Sequence, residues 1–218
     1  MERIIYHGSD YIVEKPQFGV GNKSNDYGLG FYCCSNKELA KEWASKRKGC
    51  GFVNRYKIRD DRLKILDLTK PPFNNVLYWV ALLVHNRKLP GVLKDKYPLE
   101  LEYLEKRYLI DISKYDIVIG YRADDSYFQF PESFIKGEIT LESLERIFLS
   151  GDLGTQYVLI SKRAFSNLHF LDFEETHETS REQYYLRKAK ADGIYAELVK
   201  NDRYIKGIRL RDLVFENE

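Results

Sequence analysis

His7 is the first residue equipped for chemistry, and it closes the strand-like run of "IIYHGSD" (4–10). Gly8 follows with no side chain, then Ser9 with a hydroxyl. An imidazole can donate or accept a hydrogen bond and move a proton near neutral pH. A glycine beside it makes an ordinary strand-end turn or lets another molecule approach the backbone. A second group stands in "DYGLGFYCC" (26–34), with Tyr27, Gly28, Gly30 and Tyr32. Two glycines before a strand are, alone, only a turn signal. Trp43 lies eleven residues past Tyr32, and Gln156 opens the run "QYVLI" (156–160). Read singly, Tyr32 is a core tyrosine on a strand and Trp43 a core tryptophan on an amphipathic helix. Cys33, Cys34 and Cys50 and the scattered His7, His85, His169 and His177 have no metal-ligand spacing, so no metal is expected. Adjacent cysteines on a strand point to opposite faces.

These groups must be positioned by the elements around them. The pattern predicts a strand at 3–7, a long Gly/Asn/Asp/Ser-rich loop at 9–29 and a strand at 30–34. A helix at 36–47 has Ser35 as N-cap and Glu38 at the capping-box position. Strands follow at 51–58 and 63–68. Apolar residues at 76, 77, 80, 83 and 84 have helical spacing, and Pro98 opens a helix over 98–109. Residues 115–121 read as a buried strand, 125–137 as ambiguous, and 140–151 as a helix capped by Thr140. Strands at 156–161 and 168–173, a helix at 178–191 and a strand-like tail at 205–215 complete the chain. Strands at both ends with a helical block between about 73 and 149 specify an α+β class. The length fits one domain over 1–218. The loop at 9–29 exceeds most connections in a compact domain, as lids and binding loops do.

Composition narrows the function classes. Net charge is +2, from 35 basic and 33 acidic residues interspersed along the chain. That is no signature of a bulk nucleic-acid or membrane binder. The densest basic spot, "SKRKG" (45–49), reads as a solvated helix end. No recognition helix, zinc ligand set or aromatic RNA-binding signature is visible. "NNVLYWVALLVHN" (74–86) is too short to span a bilayer and reads as a buried helix. "MERIIYHGSD" lacks the apolar region of a secretory leader, and the three cysteines form no even framework, so a cytoplasmic location is expected.

Taken jointly, the segments say more. A strand ending in His7-Gly8-Ser9, a long loop, Tyr27-Gly28-x-Gly30-x-Tyr32 on a second strand and Trp43 on the next helix resemble the ADP-ribosyltransferase superfamily. The similarity is to the branch that includes diphtheria toxin and the poly(ADP-ribose) polymerases, which carry a His-Tyr-Glu triad on three strands. The resemblance implies a split, bent pair of mostly antiparallel sheets with NAD in the cleft, here with a helical insertion at about 73–136. It implies NAD as substrate. His7 would hydrogen-bond the adenosine-side ribose, and Gly8 would offer its N–H and C=O to the nicotinamide carboxamide. A side chain at Gly8 would then block the ring amide. Ser9 would add a hydroxyl bond. Tyr32 and Trp43 would stack on the two faces of the nicotinamide ring. The loop at 10–29, with Tyr27 and Gly30 near its end, would cover the dinucleotide.

The third element departs from the family. Gln156 stands where the resemblance implies the triad glutamate, giving His7, Tyr32 and Gln156 as the catalytic set. A carboxylate there stabilises an oxocarbenium-like ribose and holds its 2′-hydroxyl; a glutamine keeps the hydroxyl bond without the charge. Losing one such partner costs about 10²–10³ in rate. Gln156 argues against polymer synthesis and permits either single transfer or loss of catalysis. Whether Gln156, Asp125 or Asp152 completes the site is open. "GYRADDSYFQF" (120–130) places Arg122 among Tyr121, Tyr127 and Phe128, as an acceptor-side wall or lid, or as core aromatics beside a salt bridge. The expected activity is mono-ADP-ribosyl transfer: NAD is cleaved, nicotinamide released and ADP-ribose passed to a macromolecular acceptor, protein first, with nucleic acid left open. The resemblance is to small bacterial members, some of which act as toxins neutralised by a partner antitoxin. The alternatives are an NAD glycohydrolase and a catalytically silent NAD- or ADP-ribose-binding module.

Overall fold

The computed structural model describes residues 2–45, 50–122, 127–149, 154–202 and 204–216; Asp125, Asp152 and most of the basic segment at 45–49 lie outside them. Among the described residues the strands are β1 (Glu2–Ser9), β2 (Phe31–Cys34), β3 (Phe52–Arg59), β4 (Ile65–Asp67), β5 (Ile117–Tyr121), β6 (Thr155–Leu159) and β7 (Leu168–Glu175). The helices are α1 (Lys37–Ser45), α2 (Val76–Asn86), α3 (Gly91–Lys96), α4 (Pro98–Tyr108), α5 (Gln129–Ile135), α6 (Leu141–Leu149), α7 (Lys162–Ser166), α8 (Glu178–Asp202) and α9 (Leu210–Phe215). The class is α+β.

The described strands form one seven-stranded sheet in the order β4-β5-β6-β2-β1-β3-β7, where a pair of separate sheets is expected. It nonetheless falls into two blocks. β1 pairs with β3 along its whole length, from Glu2↔Arg59 to Ser9↔Phe52, and β2 pairs with β6 from Phe31↔Leu159 to Cys34↔Gln156. Between the blocks, β1 and β2 share one paired position, Tyr6↔Cys34. Every pairing is antiparallel except β4 with β5. Parallel neighbours need a long crossover, and α2, α3 and α4 supply it. The segment at 73–136 is therefore not wholly helical, because β5 lies in its middle and joins β4 to β6.

Local chemistry explains where expectation and structure part. The N-cap of α1 is Asn36, not Ser35: its Oδ1 accepts from the Glu38 N–H at 2.9 Å and the Leu39 N–H at 3.5 Å. Asparagine caps as well as serine, and β2 ends at Cys34, leaving room for a later start. Thr140 does cap α6, its hydroxyl accepting from the Ser143 N–H at 3.2 Å. The strand-like tail is helix α9. Leu210 and Val214 are both buried at helical spacing, and the Arg209 N–H donates to the Asp212 carboxylate at 2.8 Å, as in a capping box. α8 runs to Asp202, whose carboxylate accepts from the Thr140 N–H at 2.7 Å and the Ser143 hydroxyl at 2.8 Å. The buried carboxylate ties the end of α8 to the start of α6.

The largest apolar cluster centres on α2, where Val76, Leu77 and Trp79 to Val84 are all buried. The two cysteines behave as strand geometry demands: Cys33 packs with Ile5, Tyr56 and Leu159, and Cys34 with Leu39, Ala40 and Val53.

Candidate functional site

The site lies where the sheet blocks part. Past Tyr6↔Cys34 the β1–β2 ladder stops, and a side chain takes over the junction: His7 Nδ1 lies 2.7 Å from the Tyr32 carbonyl oxygen. A carbonyl only accepts, so Nδ1 carries the proton. Burial holds the His7 pKa below its ordinary value, against the opposing pull of the Tyr32 carbonyl. The neutral ring thus keeps a lone pair on Nε2. The Phe31 ring packs on it at 4.4 Å.

A cavity of about 310 Å³ opens at this split, and His7, Gly8, Gly30, Tyr32, Trp43 and Gln156 all wall it. Its cover is the loop at 10–30, through Tyr11, Pro16 and Val20. That loop is tied down at intervals. The Val13 N–H donates to Asn54 Oδ1 at 2.7 Å, and the Tyr56 hydroxyl donates to the Val13 carbonyl. Phe18 meets Phe165 edge-on at 5.7 Å. At the loop's end the Tyr32 hydroxyl donates to the Gly28 carbonyl at 2.6 Å and accepts from the Tyr27 N–H at 3.1 Å. Gly28 has φ +71°, a conformation that favours glycine. Burial raises the Tyr32 pKa, and the Asp26 carboxylate adds to the rise, so the phenol stays neutral.

Gly8 has a different explanation from the one expected. A Cβ there would lie 2.2 Å from the Ala40 carbonyl oxygen and 2.9 Å from the Ala44 nitrogen. Gly51 repeats the pattern, its Cβ falling 2.4 Å from the Ala44 carbonyl oxygen. The bare backbone at Gly8 thus lets α1 seat against the sheet, and α1 carries Trp43 to the cavity. Gly30 is bare because Val158 packs over it: its Cβ would meet Val158 Cγ1 at 2.6 Å.

Two expected ligand residues are not brought into the cavity wall. The Ser9 hydroxyl donates to the Tyr11 carbonyl at 2.5 Å and accepts from Asn54 Nδ2 at 3.0 Å, fixing the start of the loop. Tyr27 is a core residue, 1% exposed, with its hydroxyl donating to the Tyr121 carbonyl at 2.7 Å. It fits because Gly120 is bare: a Cβ there would lie 2.2 Å from the Tyr27 hydroxyl.

Of the three charged wall residues, Asp26 and Arg87 carry no role from the sequence, and Arg122 stands where the sequence offers an acceptor-side wall or lid, or core aromatics beside a salt bridge. Asp26, which is buried, and Arg87, which is partly so, form an ion pair at 2.6 Å. Arg122 is 5% exposed, and its guanidinium lies over the Trp43 ring at 5.0 Å. Tyr121 and Tyr127 beside it are core aromatics. Gln156 sits between Cys34 and Gly120 on the neighbouring strands, and its Oε1 is buried with no hydrogen-bond partner.

The wall therefore includes the lone pairs of His7 Nε2 and Gln156 Oε1, aromatic surfaces and the Arg122 guanidinium. Burial raises the Cys34 thiol pKa, with Arg122 opposing, so it presents no thiolate. Among the described residues no group of three or more His, Cys, Asp or Glu could hold a metal. No described helix is long and apolar enough to cross a membrane.

No curated protein matches the chain. No solved structure matches it either. A family model described as "Protein of unknown function (DUF3990)" matches residues 3–170, which run from the second residue of β1 through β6 and include every wall residue named above. The chain belongs to the DUF3990 family.

Proposed function

We propose that the cavity takes NAD and that the protein is a mono-ADP-ribosyltransferase of the His-Tyr-Glu type, with Gln156 in the glutamate position. One observation carries the reading: His7, Gly8, Tyr32, Trp43 and Gln156, selected by their order along the chain, all wall one cavity. His7 Nε2 accepts a hydroxyl from the adenosine-side ribose. The Tyr32 ring stacks on the nicotinamide, and Trp43 stacks on the face that Arg122 leaves open. Gln156 Oε1 accepts the 2′-hydroxyl of the reacting ribose, which gives that orphaned oxygen a partner.

The acceptor's nucleophile attacks C1′ of that ribose as the C1′–N bond breaks. The bonding pair leaves with the ring, and the pyridinium departs as neutral nicotinamide. Gln156 adds no negative charge to the oxocarbenium-like transition state, so the expected activity is slow transfer of single ADP-ribose units. The same neutral amide supports a second reading, a binding module that holds NAD without cleaving it; hydrolysis, with water as nucleophile, shares the donor site.

The test mixes labelled NAD, cell lysate and the protein, as wild type, His7→Ala and Gln156→Ala. Label on a discrete band with wild type, lost with His7→Ala, is the expected result. Nicotinamide release equally fast without lysate assigns hydrolysis instead. Bound NAD with no release under any condition ends the enzyme reading.

A further inference from the structure

Three charged wall residues have no task in the NAD reading, and Arg122 differs from Asp26 and Arg87, which pair with each other. Arg122 is 5% exposed. Among the described residues no carboxylate pairs with it. The wall's carboxylate, Asp26, is bonded to Arg87. The contact that holds Arg122 is the Trp43 ring, 5.0 Å from the guanidinium carbon. A buried guanidinium without a counter-anion is costly, and a ring face offsets only part of that cost. The planar fork has donors enough to bind a tetrahedral oxyanion in bidentate fashion. A pyridinium ring is a poor partner for it, since the two repel.

The other orphan in the wall defines the ligand further. Gln156 Oε1 needs a donor, and a sugar hydroxyl is one. A cavity holding an unmatched acceptor and, among the described residues, a guanidinium with no carboxylate beside it is complementary to a sugar phosphate. We propose that Arg122 is an anion-binding residue that holds the diphosphate of a nucleotide ligand against the Trp43 ring. The proposal rests on the NAD reading only for the source of the diphosphate. The oxyanion chemistry is the same in free pyrophosphate.

The test is calorimetric titration of the full chain with inorganic pyrophosphate, ADP and nicotinamide, on wild type, Arg122→Gln and Arg122→Lys. Arg181→Gln, an exposed arginine beside Tyr185, serves as the control. Wild type is expected to bind pyrophosphate and ADP, more weakly as salt rises. Arg122→Gln weakens both by about tenfold or more, the loss of one charge-assisted pair, and leaves nicotinamide binding unchanged. Arg122→Lys keeps the charge without the fork, and falls between. It carries the test if Arg122→Gln melts early. Equal pyrophosphate affinity in wild type and Arg122→Lys, or no anion binding by wild type, overturns the proposal. Pyrophosphate binding with no gain from the nucleoside of ADP upholds the anion site and removes the dinucleotide as its source. NAD cleavage unaltered by Arg122→Gln, with anion affinity also unaltered, sinks the anion site and leaves the transferase reading standing.

Discussion

Around Trp79, α2 meets α6 and β5 through apolar groups, with Phe148 at 4.3 Å and Tyr121 at 6.0 Å, and the indole is fully buried. Around Trp43, α1 faces a cavity, the indole is 43% exposed, and Arg122 lies over it with no described carboxylate in reach. Both indoles sit on helices packed against the same sheet, so their difference comes from the sheet. Beside Trp79, β5 is paired on both edges. Beside Trp43, the β1–β2 ladder has stopped after one pair. A continuous sheet gives a helix a surface to seal; a parted one leaves a gap, and the polar groups along the gap keep free valences. The helical region has an orphan too, the Trp79 Nε1, but Trp79 does not wall the cavity. An unsatisfied group points to a ligand only where space for the ligand adjoins it.

The contrast predicts opposite responses to the same truncation. Trp79→Ala removes a fully buried indole and is expected to cost about 3–5 kcal/mol in urea unfolding. Trp43→Ala removes a half-exposed one, with a far smaller loss of stability and a large loss of NAD and ADP affinity. Equal destabilisation by both would make Trp43 an ordinary core residue and empty the comparison of meaning.

Gly8→Ala comes next in size. The new Cβ would meet the Ala40 carbonyl, a backbone atom that cannot rotate away. α1 must lift, at about 1–3 kcal/mol, the usual cost of overpacking. Because α1 carries Trp43, ligand affinity falls as well, although the methyl lies toward the helix. The same change at Gly137, whose Cβ meets nothing, strains only a left-handed turn with φ +69°. If Gly8→Ala left α1 and stability untouched while abolishing binding, the close approach at Gly8 would be to a ligand, as first expected, rather than to the helix.

How far the sequence reaches is visible in these same residues. Alternation and capping signals place β1, β2, α1 and β3 to within a few residues, because those elements are specified by neighbours in the chain. His7, Gly8, Gly30, Tyr32, Trp43 and Gln156 share a cavity for the same reason: each stands at the end or start of a legible element. Tyr27 and Ser9 lie outside the cavity wall for a reason no local pattern contains. Tyr27 turns inward because Gly120, far along the chain, leaves a hole for its hydroxyl. Ser9 is claimed by Asn54 on the neighbouring strand. The Asp26–Arg87 pair forms only when the crossover between β4 and β5 has folded over the sheet, and the Arg122–Trp43 contact only when β5 and α1 have both docked on it. The tail at 205–215 reads as a strand, and burial of Leu210 and Val214 on one helical face overturns that reading.

Tyr27 and Tyr32 sharpen the contrast at smaller scale, since both lie in one motif. Tyr27→Phe strips the Tyr121 carbonyl of its donor and is expected to cost about 1 kcal/mol, with ligand affinity unchanged. Tyr32→Phe keeps the ring but frees the Gly28 carbonyl and the Tyr27 N–H. The expected result is a loosened end of the loop at 10–30, read as faster proteolysis there. Equal loss of ligand affinity in both variants would return Tyr27 to the site.

The smallest expected effect is a pH dependence confined to a narrow window. Burial holds the folded-state pKa of His7 below its ordinary 6.5, so folded protein binds fewer protons than unfolded chain in the interval between. Above about 6.5 neither form of His7 is protonated, and it contributes no slope. As pH falls below that value the unfolded chain protonates first, and stability declines until the folded pKa is passed. The slope from one such group cannot exceed about 1.4 kcal/mol per pH unit. Carboxylates act in a separate range. Burial raises the pKa of Asp60, but hydrogen bonds and nearby positive charge, the Arg3 guanidinium first among them, together outweigh it and hold the group below 3.8, so its contribution is lost only as pH falls from about that value. Urea midpoints for wild type and His7→Gln at pH 7.5 and 5.5 separate the two ranges. Wild type should lose more stability than His7→Gln over that interval, because glutamine keeps a polar group at the junction with β2 and does not titrate. Parallel declines would mean that the ring is as easily protonated folded as unfolded, and His7 would then enter the cavity as a cation rather than as the acceptor its hydrogen bond to Tyr32 implies.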